Sequence, residues 1–274
     1  MKKLLLILIV FFSVKTTFGQ QDSVLKLTLV QKFNGSIRDF TTDNLGSIYL
    51  LTATNQIKKV NEKGDSVAVY NDVRRFGKIY SIDATNPLKV LVYYKDYSTI
   101  IVLDRLLNVR NTIDLRKQNI FQVRAITSSY DNNIWIFDEL DSKLKKIDDN
   151  GKVIFESTDF RQIFDAVPSP ASVYDRDGQL YLYDPAKGLM VFDYYGARKN
   201  NLQILHLTDL QVINKNTITA RDSNYIYLYK PATLQLLSYK AFADQSRFTK
   251  IHFNGNSLYC LTTNEELEMY NVLK

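Results

Sequence analysis

The chain of 274 residues has one cysteine, Cys260, and two histidines, His206 and His252. A single cysteine excludes an intramolecular disulfide, so stability must come from burial. Cys260 sits in the apolar step Leu258-Tyr259-Cys260, which predicts a buried, inert thiol. The histidines are far apart in sequence and form no metal-spaced pair, so no zinc site is expected. GxSxG and any local cysteine-histidine constellation are missing, and nucleophilic catalysis therefore has no recognisable carrier. Basic residues run no longer than pairs such as Lys58-Lys59, Arg74-Arg75 and Lys145-Lys146. Nucleic acid would require a cationic stripe interleaved with stacking rings, and none is present. No window sustains a helical apolar period, which points to an all-β chain.

Long hydrophobic runs are also scarce. The one candidate, residues 4–14, is about eleven residues long, where a bilayer-spanning helix needs roughly 20. Lys2 and Lys3 precede it and Thr17-Phe18-Gly19 follows. That order of charged, apolar and small residues predicts a secretory signal peptide over 1–19, cut between Gly19 and Gln20. Loss of its three lysines leaves 32 Lys+Arg against 29 Asp+Glu, so half of the formal charge of +6 disappears on export. The expected location is the periplasm or the cell exterior, with no membrane span after cleavage. Residues 20–274 are long enough for one domain that hides roughly 70 to 75% of its unfolded surface.

What the chain does have is a recurring step of three apolar residues, usually with an aromatic in the middle. It occurs at Ile48-Tyr49-Leu50, Val90-Leu91-Val92, Ile134-Trp135-Ile136, Leu180-Tyr181-Leu182, Ile226-Tyr227-Leu228 and Leu258-Tyr259-Cys260, at spacings of 42, 44, 46, 46 and 32 residues. A second apolar register follows about nine residues behind each step, beginning at Ile57, Ile100, Leu144, Leu189, Leu234 and Leu267. Clusters such as Asp43-Asn44-Leu45-Gly46, Asp131-Asn132-Asn133 and Asp175-Arg176-Asp177-Gly178 separate the short strands and supply hairpin turns. Strand candidates upstream of each step and downstream of the second register bring most units to four. A strand period in the low forties is that of a six-bladed β-propeller, whose small sheets must stack on one another to bury their faces.

Two irregularities carry expectations of their own. The sixth unit runs out after three strands, and residues 24–31 are strand-like, so the ring is expected to close by an N-terminal strand pairing in the last blade. The fifth unit has too little chain after Leu234, which predicts a stunted or absent fourth strand over 239–243. The longest connection, 157–169, is the first place to look for a binding element.

The stretches Asp43-Asn44-Leu45-Gly46-Ser47-Ile48-Tyr49-Leu50 and Asp131-Asn132-Asn133-Ile134-Trp135-Ile136, each followed by a Lys-Lys strand and an Asn/Asp/Gly turn, resemble NHL repeats and their TolB-like six-bladed relatives. The resemblance covers nearly all of residues 20–274 at the level of pattern. It implies a propeller used for binding or scaffolding in a bacterial envelope, with a minority of relatives acting as calcium or zinc hydrolases or lactonases.

Candidate site residues follow from the inner-strand positions. Asp39, Asp83, Asp175 and Asp222 fall at or just beyond those strands and could point carboxylates into the channel, although turn residues or solvated channel walls are the plainer reading. Arg38, Tyr80, Arg124 and His252 follow the first apolar residue of their strands, and a cationic, aromatic mouth would suit a small anionic ligand or peptide carboxylate. Tyr49, Tyr181, Tyr227 and Tyr259 should pack between blades, whereas Tyr93-Tyr94 and Tyr194-Tyr195 could present rings to a glycan or peptide. No cofactor is implied. These patterns point away from an enzyme and toward a noncatalytic binding module for another envelope protein; a sugar- or peptide-binding propeller and a metal-dependent hydrolase are the alternatives.

Overall fold

The computed structural model describes residues 23–273. They form six antiparallel sheets around a central channel. Blade 1 contains Ile37–Thr42, Ile48–Thr52, Ile57–Val60 and Ser66–Tyr70, ordered from the channel to the rim. Blade 2 contains Ser81–Asp83, Val90–Tyr94, Thr99–Leu103 and Val109–Asp114. Blade 3 is built from Val123–Ser128, Ile134–Asp138, Lys143–Ile147 and Val153–Glu156, and blade 4 from Ser172–Arg176, Gln179–Asp184, Gly188–Phe192 and Arg198–Leu202. Blade 5 has Thr208–Asn214, Thr217–Arg221, Ile226–Lys230 and Gln235–Lys240. Blade 6 takes Phe248–Asn254, Ser257–Thr262 and Leu267–Val272, with Leu27–Phe33 as its outermost strand. Each inner strand touches the next, and that of blade 6 touches that of blade 1. The only α-helix among the described residues is the single turn Val73–Phe76, and none is long and apolar enough to cross a membrane.

The apolar steps explain the stacking. A strand buries alternate side chains on opposite faces, and each second strand lies between two neighbouring blades. Val90, Val92 and Tyr94 therefore join Tyr49, Leu51 and Ile57 of blade 1 in one core. Leu91 and Tyr93 turn the other way, to Ile126, Ile134 and Ile136 of blade 3. This two-sided burial is why the steps read as unbroken hydrophobic runs. The same arrangement makes one core per junction around the ring. The thinnest lies between blades 5 and 6, where the buried set is Ile226, Phe248, Ile251, Leu258, Cys260 and Tyr270.

The N-terminal segment crosses that thin junction. Residues 24–31, read as one strand, divide: Ser23–Val24 pairs parallel with Tyr239 and Lys240 at the rim of blade 5, and Leu27–Phe33 pairs antiparallel with Leu267–Val272 in blade 6. Leu25 and Leu27 pack against the core between those blades.

The expectation of a stunted fifth blade is corrected. Its first strand is Thr208–Asn214, and the chain near 239, expected to be a remnant, belongs to the full outer strand Gln235–Lys240. Ile226-Tyr227-Leu228 resembles a second strand but is the third. The actual second strand, Thr217-Ile218-Thr219-Ala220-Arg221, carries no aromatic step. Second strands begin at 48, 90, 134, 179, 217 and 257, so the last two spacings, 46 and 32, become 38 and 40. The long connection after blade 3 is likewise anchored in the core. Phe160 is fully buried there and stacks on Phe192 with centroids 5.2 Å apart.

The ring has two unlike faces. Turns joining strands 1 to 2 and 3 to 4 emerge on one side, called the hairpin face below. Connections between strands 2 and 3, and from blade to blade, emerge on the opposite side, the linker face.

Candidate functional site

The channel widens into a cavity of about 900 Å³ lined by all six inner strands. Near the linker face several of these strands carry a one-residue bulge, as at Arg38, Arg124 and Thr249. A bulge takes its side chain out of the in-and-out alternation and re-aims it. Arg38, Tyr80, Arg124, Ala171 and Thr249 are equivalent positions, judged by the partners of their neighbours on the second strands. Tyr80, Arg124 and Ala171 line the cavity. Arg38 instead donates to the Ile79 carbonyl at 2.8 Å, clasping blade 1 to blade 2. His252 also lines the cavity, but it lies three residues deeper than its proposed equivalents, the matching position being Thr249.

The four carboxylates do not converge. Asp83 borders the cavity, yet its two oxygens accept from the backbone N–H groups of Thr85 and Ser128, each at 2.7 Å. Asp39 accepts from Lys250 Nζ at 2.6 Å and from its neighbour's N–H. Asp175 is buried between blades 3 and 4, outside the cavity lining, and accepts from Ser129 Oγ, Tyr130 N, Trp135 Nε1 and Tyr194 OH at 3.0, 3.3, 3.1 and 2.5 Å. Asp222 caps a turn after the second strand of blade 5, accepting from the N–H groups of Asn224 and Tyr225 and from Tyr227 OH, each at 2.7 Å. No three His, Cys, Asp or Glu side chains among the described residues are grouped to hold a metal ion.

Polar side chains of the inner strands serve mainly as blade-to-blade clasps. Asp209 accepts from Ile251 N at 2.8 Å and from Arg221 Nε at 2.5 Å. Lys250 donates to the Phe40 carbonyl and Asn254 to that of Asp43, at 2.8 and 2.7 Å. Arg176 donates to its neighbour's carbonyl at 2.8 Å and reaches Thr85 Oγ1 across the hairpin end at 3.5 Å. Sequence reasoning missed Asp209 and Gln211 because it placed the fifth blade one strand out of phase. Lys250 has no signal beyond its place in an expected strand, and Arg176 falls by pattern in the turn cluster Asp175-Arg176-Asp177-Gly178, whereas the inner strand extends through it.

Gln211 settles the chemistry of His252. The Phe253 N–H donates to Gln211 Oε1 at 2.7 Å, so the amide nitrogen faces His252 Nε2 at 3.1 Å as a donor. His252 Nε2 is therefore the acceptor, and the ring proton sits on Nδ1. Burial, with smaller contributions from the Lys250 and Arg176 charges, pushes this imidazole down to about 3. The folded state thus resists protonation that the unfolded chain accepts near pH 6.5. Stability from this residue is complete above pH 6.5 and is lost as the pH falls toward 3. The unfolding free energy should drop by up to about 2 kcal/mol more in the parent than in His252→Gln between pH 7 and pH 5. Equal slopes, measured by urea titration at both pH values, would contradict the assignment.

On the hairpin face a cluster of rings surrounds one cation. Tyr130 stacks on Tyr194 with centroids 4.7 Å apart and planes 10° from parallel. Lys146 Nζ lies 4.6 Å from the Trp135 centroid and 5.4 Å from those of Tyr130 and Tyr194, held by Asp131 Oδ2 at 2.8 Å. Burial opposes the Asp131 charge, but hydrogen bonds from Lys146 and Asn133 prevail and hold the carboxyl down to about 2. Tyr130 is 69% exposed and Tyr195 88%. Tyr93 and Tyr94, the other pair read as possible exposed rings, are fully buried. Cys260 is buried as well, which pushes its thiol far above the ordinary range.

No protein-family model and no curated protein sequence matches the chain. Solved structures do. A streptogramin B lyase is similar at 15% identity over 85% of this chain and 78% of that one, with a TM-score of 0.60. A catalytically inactive virginiamycin B lyase from Staphylococcus aureus with quinupristin is similar at 12% identity, covering 90% of this chain and all of that one, with a TM-score of 0.65. The Swd1 β-propeller domain of Myceliophteria thermophila aligns at 8% identity over the same shares, 90% and 100%, with a TM-score of 0.62. At such identities the likeness is one of fold.

Proposed function

We propose that the chain is an exported, noncatalytic binding module that engages a partner protein of the bacterial envelope on its hairpin face. The observation that carries this reading is the exposed side-chain population there. Tyr130 stands beside the buried Lys146 and Tyr195 follows Tyr194 of the same cluster, and Leu45, Leu88, Leu106 and Leu234 project from other turns of the same face. Aromatic residues ringed by polar turns suit a protein interface, where a few large side chains carry most of the binding energy. The clasps between inner strands make the ring rigid, so these turns are presented with little ordering cost on association. Export is supported by the sequence pattern of residues 1–19, which lie outside the described residues. The two lyase neighbours share the ring, and their chemistry is not carried over.

The test is site-specific photocrosslinking in the native host. A benzophenone amino acid at position 195 should yield a discrete adduct, and the same residue at position 140 on the linker face should not. Equal adducts at both positions, or none at 195, would reject the hairpin face.

A further inference from the structure

The mouth of the channel opposite the hairpin face carries polar side chains of its own, apart from any partner on that face. Eight ionised side chains occupy the inner strands: Arg38, Asp39, Asp83, Arg124, Asp175, Arg176, Asp209 and Lys250. Seven of them are engaged by the clasps described above. Arg124 alone has no hydrogen-bond or ion-pair partner among the described residues. It is half-buried, it sits on a bulge, and it lines the cavity. A guanidinium with no partner in the protein presents an open fork that matches a planar carboxylate.

Its surroundings favour an anion. At the equivalent position on blade 2, Tyr80 is exposed at the mouth, and its hydroxyl has no partner among the described residues. Lys95 lies 5.0 Å over the Tyr80 ring, adding a second cation on this side. At the equivalent position on blade 4 stands Ala171, whose methyl group leaves room beside the guanidinium. Formal charges of the cavity lining balance, with Asp43, Asp83 and Asp209 against Arg124, Arg176 and Lys250. They do not balance in what remains available. Asp43 accepts from Leu45 N, Ser47 N and Tyr49 OH, and Asp83 and Asp209 are consumed as described, whereas Arg124 is open. Ile82 and Ile126 supply apolar wall for the body of a ligand.

We infer that the linker-face mouth of the channel binds a small organic carboxylate, with Arg124 as its bidentate anchor and the Tyr80 hydroxyl as a further donor. The sodium salt of benzoic acid serves as the probe, with benzamide and inorganic phosphate as comparisons. Binding is followed through the Arg124 Nε–Hε resonance of the full-length mature protein, identified by its loss in Arg124→Gln. Benzoate should move that resonance in a saturable way, while benzamide leaves it in place. Affinity for benzoate, measured by calorimetry, should fall about tenfold or more in Arg124→Gln. In Tyr80→Phe, which keeps the ring, it should fall severalfold. Arg124 has no partner to lose, so Arg124→Gln should unfold at the parent's urea midpoint. An unmoved resonance, undiminished benzoate affinity in Arg124→Gln, or tighter binding of phosphate than of benzoate would overturn the assignment. Each of these results leaves crosslinking at position 195 unaffected, so the two sites are tested separately.

Discussion

Replacing Asp175 by alanine should destabilise the protein by about 3 to 5 kcal/mol, because it strands four donors at one buried point. Ser129 Oγ and Tyr130 N belong to the turn of blade 3, Trp135 Nε1 to its second strand, and Tyr194 OH to blade 4 itself. The indole N–H is buried, since Trp135 is 1% exposed, so its lost partner is not replaced by bulk water. For a chain of this size the loss corresponds to a fall in midpoint of roughly 6 to 20 °C. Asp175→Asn keeps an oxygen on the donors and should lose less. Trp135 is the only tryptophan in the sequence, so its fluorescence in urea reports directly on this junction. A change below about 0.5 kcal/mol in Asp175→Ala, the scale of a neutral surface substitution, would refute the hub.

Removing the N-terminal strand should have an effect at least as large. A chain beginning at residue 34 leaves Leu267–Val272 as an unpaired edge and uncovers the thinnest core of the ring. It takes away Phe33, which is buried, and Leu25 and Leu27, which pack between blades 5 and 6. Burial of each such side chain contributes roughly 1.5 to 3 kcal/mol when complete. Lys32 also leaves Glu268, a pair measuring 2.8 Å. The expected loss is about 5 kcal/mol or more, a midpoint lower by roughly 10 to 20 °C, with self-association as the free edge recruits other chains. Adding a peptide of residues 23–33 should restore a monomer. A truncated chain that stays monomeric at the parent midpoint would show that the strand contributes nothing to the ring.

These two sites differ in how far the sequence foretold them. The three-strand ending of the last unit and the apolar residues after position 24 identify a missing strand from residue pattern alone. Nothing foretold that Ser23–Val24 would turn to blade 5, because two residues carry no pattern. Asp175 was legible only as a carboxylate near an inner strand. Its partners Ser129, Tyr130 and Trp135 are 46, 45 and 40 residues away, and stacking alone makes them neighbours. The fifth blade was misread for a related reason: Ile226-Tyr227-Leu228 carries the aromatic step one strand late, and local pattern has no memory of which strand lines the channel. Arg38 and Arg124 show the limit most clearly. They occupy equivalent bulged positions with the same side chain, yet one is spent on the next blade and the other opens into the cavity.

The amino-acid sequence by itself determined that this chain is a ring of small sheets. Its apolar steps recur at a spacing that one blade consumes, and no step can bury both of its faces without a neighbour on each side. Tertiary structure alone decided the phase of the fifth blade, the path of the N-terminal segment and the division of polar side chains between clasps and open sites. The physical reason is that burial patterning is local to a strand. The direction a side chain takes at a bulge, and the partner it meets, depend on backbone contributed by a blade some forty residues away or by the opposite end of the chain.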